Sequence, residues 1–395
     1  MMKRMEFGGA IAQNHLLKIA AQFASQGEVK SVSPLGNGNI NSTFLVTVRP
    51  AASHHLQNSL VAKRFVLQRI NKQVFRQPER VIQNMVVLCE HLRASTDSLQ
   101  AASTRRWETP QILSTRQGEN YWVDEAGEYW RAISFVEDAC VCETIQDLAH
   151  AEEVGCGLAM FHSLVNQLPV EKLSDPLPGF HITPAYLAHY EQILNRYSPS
   201  SNNTLTNDQA EQTQYCLNFI EQRKDWAHVL EKAKAVGDLQ LRPIHGDPKV
   251  NNMMRGASGE VVSLIDLDTL KPGLVHYDIG DCLRSGCNSL GEETEDWQNV
   301  VFDVAIARAM LQGYLSLAKD FLTVQDYDYL YDAIRLLAFE LGLRFFTDYL
   351  AGNVYFKVKH SKHNLMRSLV QFKLAESIEA QANQLQAMIQ ELRRR

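Results

Sequence analysis

No segment of this 395-residue sequence approaches the ~18 uninterrupted apolar residues that a membrane-spanning helix needs, so no membrane span is expected. Clustered positive charge is scarce as well. Lys and Arg total 39 against 45 Asp and Glu, a formal net charge of −6, and the one dense basic run is the terminal ELRRR. That balance argues against nucleic acid or an anionic membrane as the main partner. The basic tail reads as cations placed near the carbonyls of a helix end. Cysteines are few and odd in number: there are seven, with Cys140 and Cys142 forming one C-x-C and no second pair at zinc-site spacing. A disulfide framework is therefore not expected, and the thiols suit a reducing cytoplasm. The N-terminal MMKRMEFGGAIAQNHLLKIAAQF starts basic, but Gln13, Asn14 and His15 interrupt its apolar run. It fits an amphipathic opening helix better than a signal peptide. Internal repeats and long low-complexity tracts are also lacking.

What is present is a globular composition, 45% hydrophobic, in a chain long enough for two lobes. The first third reads as strands and turns. Val29 to Val48 offers two extended runs around a Gly/Asn-rich turn, and Lys63 to Ile70 is another short strand. Pro78 to Ala94 has helical spacing with proline at its start. TPQILST, NYWVDE and EYWRAISFV are further strands, the last two joined by a turn at Ala126–Gly127. Beyond Asp138 the pattern becomes helical, beginning with Ile145 to Leu168, and Asn195 to Asp208 reads as an exposed turn-rich connection. The expected fold is α+β and bilobal. A small β-rich lobe, residues 1–137, precedes a large helical lobe, residues 138–395, joined near Phe135 to Ala139.

The segment PIHGDPKVNN, Pro243 to Asn252, carries the chemistry. Phosphoryl transfer from a nucleotide calls for a carboxylate to orient the attacking hydroxyl and accept its proton, and for hard oxygen ligands to hold magnesium. Asp247 suits the first task. Asn252, five residues on, can offer an amide oxygen to the metal, and Asp266, closing the apolar run VVSLID, can add a charged ligand. A His-Gly-Asp turn by itself is equally ordinary turn chemistry. The conjunction with a strand-borne acid, downstream of a glycine turn, is what points to phosphotransfer.

HGDPKVNN followed by LIDLD resembles the catalytic and metal-binding loops of the aminoglycoside phosphotransferase-like kinases, which share the two-lobed protein-kinase architecture. LGNGNINSTFLV sits where that family's nucleotide-covering loop falls, KRFVLQRI at its third strand, FVEDA at its hinge, and VGCGLAMFHSLV at the helix before the catalytic loop. Within the family, VLQRINKQVF, LPGFHITPAYL, IDLDTLKPGLVHYDIGDCLRSGCN and LRFFTDYLAGNVYFKV together resemble the N-acetylhexosamine 1-kinases. The resemblance implies a cytoplasmic, ATP- and Mg2+-dependent kinase acting on the anomeric hydroxyl of an N-acetylated hexosamine. Its alternatives are another hydroxyl metabolite (an aminoglycoside, choline or homoserine) or a non-catalytic nucleotide-binding module. A monomer or weak homodimer is the expected assembly.

By this resemblance Asp247 is the base, with Asn252 and Asp266 on the metal. Asp268 either assists the metal, orients Asp266 or caps the next turn. Lys249 either neutralises the transferring phosphoryl or is a solvated loop lysine. Gly36, Gly38, Phe135 and Glu137 fall to the nucleotide. The departure lies on the third strand, where Gln68 stands at the lysine position with Arg69 beside it. Strand alternation sends these two to opposite faces, so one of them enters the cleft. A Gln68–Asn84 hydrogen-bonded pair is the expected substitute for the kinase ion pair, Glu79 lying close to the helix start and Glu90 far along it. For the acceptor, Arg344, Asp281 and Arg284 are the expected contacts, with Arg344 also open to a structural salt bridge. His181, Phe180 and Tyr355 either line the cleft or pack in the core. Asp278 is expected to brace the catalytic loop, and His162 to be structural.

Overall fold

The structure is a computed structural model that describes residues 12–24, 27–36, 40–50, 63–99, 105–196 and 207–394. Helix α1 (Gln13–Phe23) precedes strands β1 (Gly27–Pro34), β2 (Ser42–Pro50) and β3 (Lys63–Arg69). Helix α2 (Pro78–Leu99) then leads to β4 (Ile112–Leu113), β5 (Trp122–Val123) and β6 (Tyr129–Ser134). The sheet order is β1-β2-β3-β6-β4, with β5 on β6, and these pairs are antiparallel. The turn before β6 forms where expected. Gly127 takes φ +74°, and Asp124 accepts the backbone N–H of Ala126 and Glu128, each at 2.9 Å.

Side-chain alternation divides this sheet into two faces. Phe65 and Leu67 of β3 and Trp130 and Ala132 of β6 pack with Leu16, Ile19 and Phe23 of α1. Val66 and Ile133 point the other way, into the main core with Met85 and Leu88 of α2. Gln68 and Arg131 leave from that second face, and Arg69 from the first.

The remainder is mostly helical, as expected. After β7 (Ala139–Val141) come α3 (Leu148–Val165), α4 (Thr183–Leu194), α5 (Asn207–Arg223) and α6 (Val229–Val236). Helix α3 starts later than its apolar stripe because Asp147 caps it, accepting from His150 N at 2.7 Å. Next are β8 (Arg242–Ile244), β9 (Met253–Gly256), β10 (Val261–Leu264) and β11 (Lys271–Gly273). The chain closes with α7 (Val275–Gly286), α8 (Val304–Ala318), α9 (Val324–Asp328), α10 (Leu330–Leu350), α11 (His363–Ala380) and α12 (Ala382–Arg393). Helices α3 and α8 pack backbone to backbone. A Cβ on Gly155 would meet Met310 O at 1.9 Å, and one on Gly313 would meet Glu152 O at 2.0 Å, so only glycine allows that crossing. Helix α10 is buried around most of its circumference, with Leu336, Leu337, Phe339, Leu343 and Phe346 inside.

Two short sheets set the functional segment. Strand β8 pairs with β11, and β9 with both β10 and β7. The loop 245–252 joins β8 to β9, and Asp266 follows β10, so the two acid-bearing segments meet at the ends of adjacent strands. Cys140 and Cys142 are free, as are the other five thiols, which are buried.

Candidate active site

The loop 245–252 is held from beneath by Asp278, which is fully buried on α7. Its carboxylate accepts His245 N at 2.7 Å, Gly246 N at 2.8 Å and the His162 ring at 2.9 Å. His162 reaches the Tyr314 hydroxyl with its other nitrogen, 2.9 Å away. The expected brace and the structural histidine are thus one network. Gly246 has φ +88°, and a Cβ there would lie 2.8 Å from Thr269 O, so the turn requires glycine. Burial lowers the pKa of His245. Its Nε2 donates to Ile265 O at 2.9 Å and its Nδ1 accepts Asp247 N at 3.2 Å, which joins the two acid-bearing segments.

Asp247 projects into the cleft with its side chain 29% exposed, paired with Lys249 Nζ at 3.0 Å. That carboxylate, first among several acids, raises the lysine pKa and keeps the ammonium charged. Asn252 turns its amide nitrogen onto Asp247 O at 2.7 Å. A carbonyl only accepts, so the amide oxygen is the atom left to face outward. Asp266 sits at φ +64°, a strained conformation for a residue with a side chain. Burial and the nearby carboxylates of Asp268 and Asp247 push its pKa up to about 7. Oxygen donors and converging negative charge are the donor set that a hard divalent cation fits. Among the described residues no group of three or more His, Cys, Asp or Glu side chains forms a metal cage. Asn252 and Asp266 would therefore share such a cation with other oxygen ligands.

Asp268 departs from its expected place on the metal. One oxygen accepts from Arg131 Nη2 and the other from Asn41 Nδ2, so both are engaged by the N-terminal sheet region.

On the nucleotide side Gly36 has the positive φ, +67°, of a glycine turn, while Gly38 lies outside the described residues. Gln68 faces the cleft and Arg69 does not; Arg69 bonds to Ser42 Oγ at 3.2 Å on the other face. The Gln68–Asn84 pair does not form. Asn84, fully buried, instead clasps backbone of the helical region, donating to Leu270 O at 2.7 Å and Ser174 O at 2.8 Å and accepting Ser174 N at 2.9 Å. Gln68 Oε1 takes Arg131 of β6, a residue whose signal in the sequence was one charge inside an apolar strand. Phe135 lies under the Arg64 guanidinium at 4.5 Å, and the Glu137 carboxylate pairs with the same arginine. The Glu137 side chain is thus shared with Arg64 while remaining 46% exposed.

The acceptor residues divide. Asp281 Oδ1 accepts Arg284 Nε at 2.8 Å, and Asp281 Oδ2 is buried without a partner among the described residues. Burial alone would raise the Asp281 pKa, but Arg284 and His181 outweigh it and hold the carboxyl below its ordinary value. Arg344 stands in an aromatic cage, 5.2 Å from the Phe180 ring, 4.9 Å from Tyr186 and 5.5 Å from Phe356. Among the described residues it makes no ion pair, so the alternative of a structural salt bridge is not seen. One wall of the cage is set by Asp348, which accepts the backbone N–H of Val354, Tyr355 and Phe356 at 2.8–3.0 Å and fixes the loop that carries Phe356. Tyr355 is 38% exposed and Phe180 is buried.

His181 is not placed to touch an acceptor. It is buried at φ +63°, its Nδ1 2.8 Å from Glu340 Oε1 and its Nε2 2.6 Å from Gly246 O. Both partners accept, so both nitrogens donate and the ring is an imidazolium that steadies the catalytic loop. Burial opposes that charge, but Glu340 outweighs it and raises the His181 pKa above 6.5; His181 in turn holds Glu340 below 4.5 despite burial. The histidine's contribution to stability is complete below pH 6.5 and fades as pH rises through its raised value. The glutamate's is complete above pH 4.5 and fades as pH falls through its lowered value. Urea midpoints measured against pH should therefore decline on the alkaline side in the wild type, and His181→Gln should flatten that decline.

A β-sheet N-terminal region and a helical remainder that carries the acid-bearing loop define a protein-kinase-like fold. An aminoglycoside phosphotransferase from Alicyclobacillus acidocaldarius has a similar structure, with a TM-score of 0.62 at 15% identity over 98% of each chain. A spectinomycin phosphotransferase solved with ADP and spectinomycin gives 0.57 at 11% identity over 95% of this chain and 100% of that one. A choline kinase from Cryptosporidium parvum gives 0.53 at 12% identity over 96% and 99%. Residues 31–318 match the phosphotransferase enzyme family (APH), and the chain belongs to that family. It is a small-molecule phosphotransferase.

Proposed function

We propose that this protein is an ATP- and magnesium-dependent kinase of a sugar hydroxyl, with the anomeric hydroxyl of an N-acetylhexosamine as the acceptor. In this reading Asp247 orients the hydroxyl and takes its proton, and Lys249, kept protonated by that carboxylate, faces the transferring phosphoryl. Asn252 and Asp266 hold magnesium, which when bound neutralises phosphate charge and fixes the phosphate orientation. Backbone of the 135–137 segment and the Gly36 turn receive the nucleotide. Asp281, oriented by Arg284, offers its unpartnered oxygen to a sugar hydroxyl.

The observation that carries the acceptor class is Arg344. A guanidinium held by three rings, near Asp247 and in no ion pair among the described residues, disfavours polycationic acceptors such as aminoglycosides and suits a neutral polyol rich in acceptor oxygens. Its resemblance in LRFFTDYL to the N-acetylhexosamine 1-kinases supports the same choice. ADP release should be measured with N-acetylglucosamine, N-acetylgalactosamine, free hexoses, aminoglycosides, choline and homoserine, each with and without Mg2+. N-acetylated sugars should turn over best, and Arg344→Ala should raise their KM about tenfold or more with a smaller change in kcat. Turnover of aminoglycosides or choline alone would overturn the acceptor, and nucleotide binding without turnover of any acceptor would favour a non-catalytic role.

A further inference from the structure

At the lysine position of the third strand Gln68 faces the cleft and Arg69 turns to Ser42, while Arg64 at the strand's start is paired with Glu137. A guanidinium nevertheless stands beside Gln68. Arg131 lies directly opposite Gln68 in the antiparallel register of β3 and β6, so both side chains leave the same face. Arg131 is only 1% exposed, and a charge that deep requires fixed partners. Gln68 Oε1 receives its Nε at 3.0 Å and its Nη2 at 2.8 Å, which sets the plane of the fork. Nη2 also bonds to Asp268, two residues beyond Asp266. Among the described residues Nη1 meets only the Met85 sulfur, 3.1 Å away on α2, the helix where a protein kinase keeps its glutamate. Sulfur is a weak acceptor, so this donor edge lacks a strong partner.

We propose that Arg131 carries the positive charge at the nucleotide phosphates that the lysine position of the third strand does not supply, with Gln68 as the group that orients it. The inference rests on the phosphotransfer reading above. A charge at the phosphates must be fixed and within reach, but it need not come from one particular strand. Neighbouring strands are about 4.8 Å apart, and the planar arginine fork can engage a carboxamide and a phosphate together. Glutamine at 68 is then matched to Arg131, because a lysine there would set two like charges in contact.

Titration calorimetry with ADP and with adenosine tests this. Arg131→Gln should weaken ADP binding about ten- to a hundredfold and leave adenosine binding unchanged. Moving the charge back, in Gln68→Lys/Arg131→Gln, should recover most of the ADP affinity. Gln68→Lys alone should give no gain. Unchanged ADP affinity in Arg131→Gln, equal losses for ADP and adenosine, or tighter ADP binding by Gln68→Lys would each overturn the assignment. Should Arg131→Gln not fold, the double variant decides: recovered ADP binding supports the proposal, and a folded double variant that binds adenosine but not ADP refutes it. Wild-type ADP binding is the control. Its absence would refute the phosphotransfer reading, whereas its presence beside an unaffected Arg131→Gln variant refutes only the role of Arg131.

Discussion

Asp247→Asn is expected to lower kcat by about 10²- to 10⁴-fold, because the amide cannot accept the acceptor's proton. Nucleotide affinity and thermal midpoint should stay close to wild type. The side chain is 29% exposed and its ion pair is with Lys249, while the bonds that shape the loop use the backbone of Asp247. A coupled assay for ADP release, with calorimetry of nucleotide binding beside it, checks both halves. An Asn variant that turned over normally would show that another group is the base. Lys249 should also become easier to deprotonate, since Asp247 is the leading cause of its raised pKa.

Asp278→Ala should do the opposite and act on the fold. Three donors, His245 N, Gly246 N and the His162 ring, would lose one buried acceptor. A loss on the order of 3–5 kcal/mol is expected from urea unfolding, with activity lost in whatever remains folded. Asp278→Asn keeps one acceptor oxygen and should fall between. A small change in urea midpoint for the Ala variant would mean that the loop holds its shape without this brace. Asp247 and Asp278 thus separate by exposure, one predicted to govern turnover and the other stability.

The loop acid, the amide five residues later and the acid closing VVSLID were legible because each is fixed by short-range geometry: a turn, a short loop and a strand end. The strands of Val29 to Val48 and the helix at Pro78 were legible through residue periodicity. Asn84 and Gln68 were not. Their spacing allowed a pair, yet Asn84 found three backbone groups that no local pattern announces. Whether His181 lines the cleft or packs in the core was not legible either, because its partners, Glu340 and Gly246, lie 159 and 65 positions away.

The sequence by itself determined the elements, the acid-bearing loop and the family to which such a loop belongs, since local sterics and hydrophobic period act over a few residues. Only the tertiary structure decided which distant groups share a buried space. Arg131 meets Gln68 through strand register and Asp268 through the meeting of sheet and loop. Arg344 meets Phe356 through a loop tied down by Asp348, and Phe180 and Tyr186 through the packing of α4 and the segment before it. Buried charges must find partners, and which partners lie within hydrogen-bond reach is set by how the elements pack.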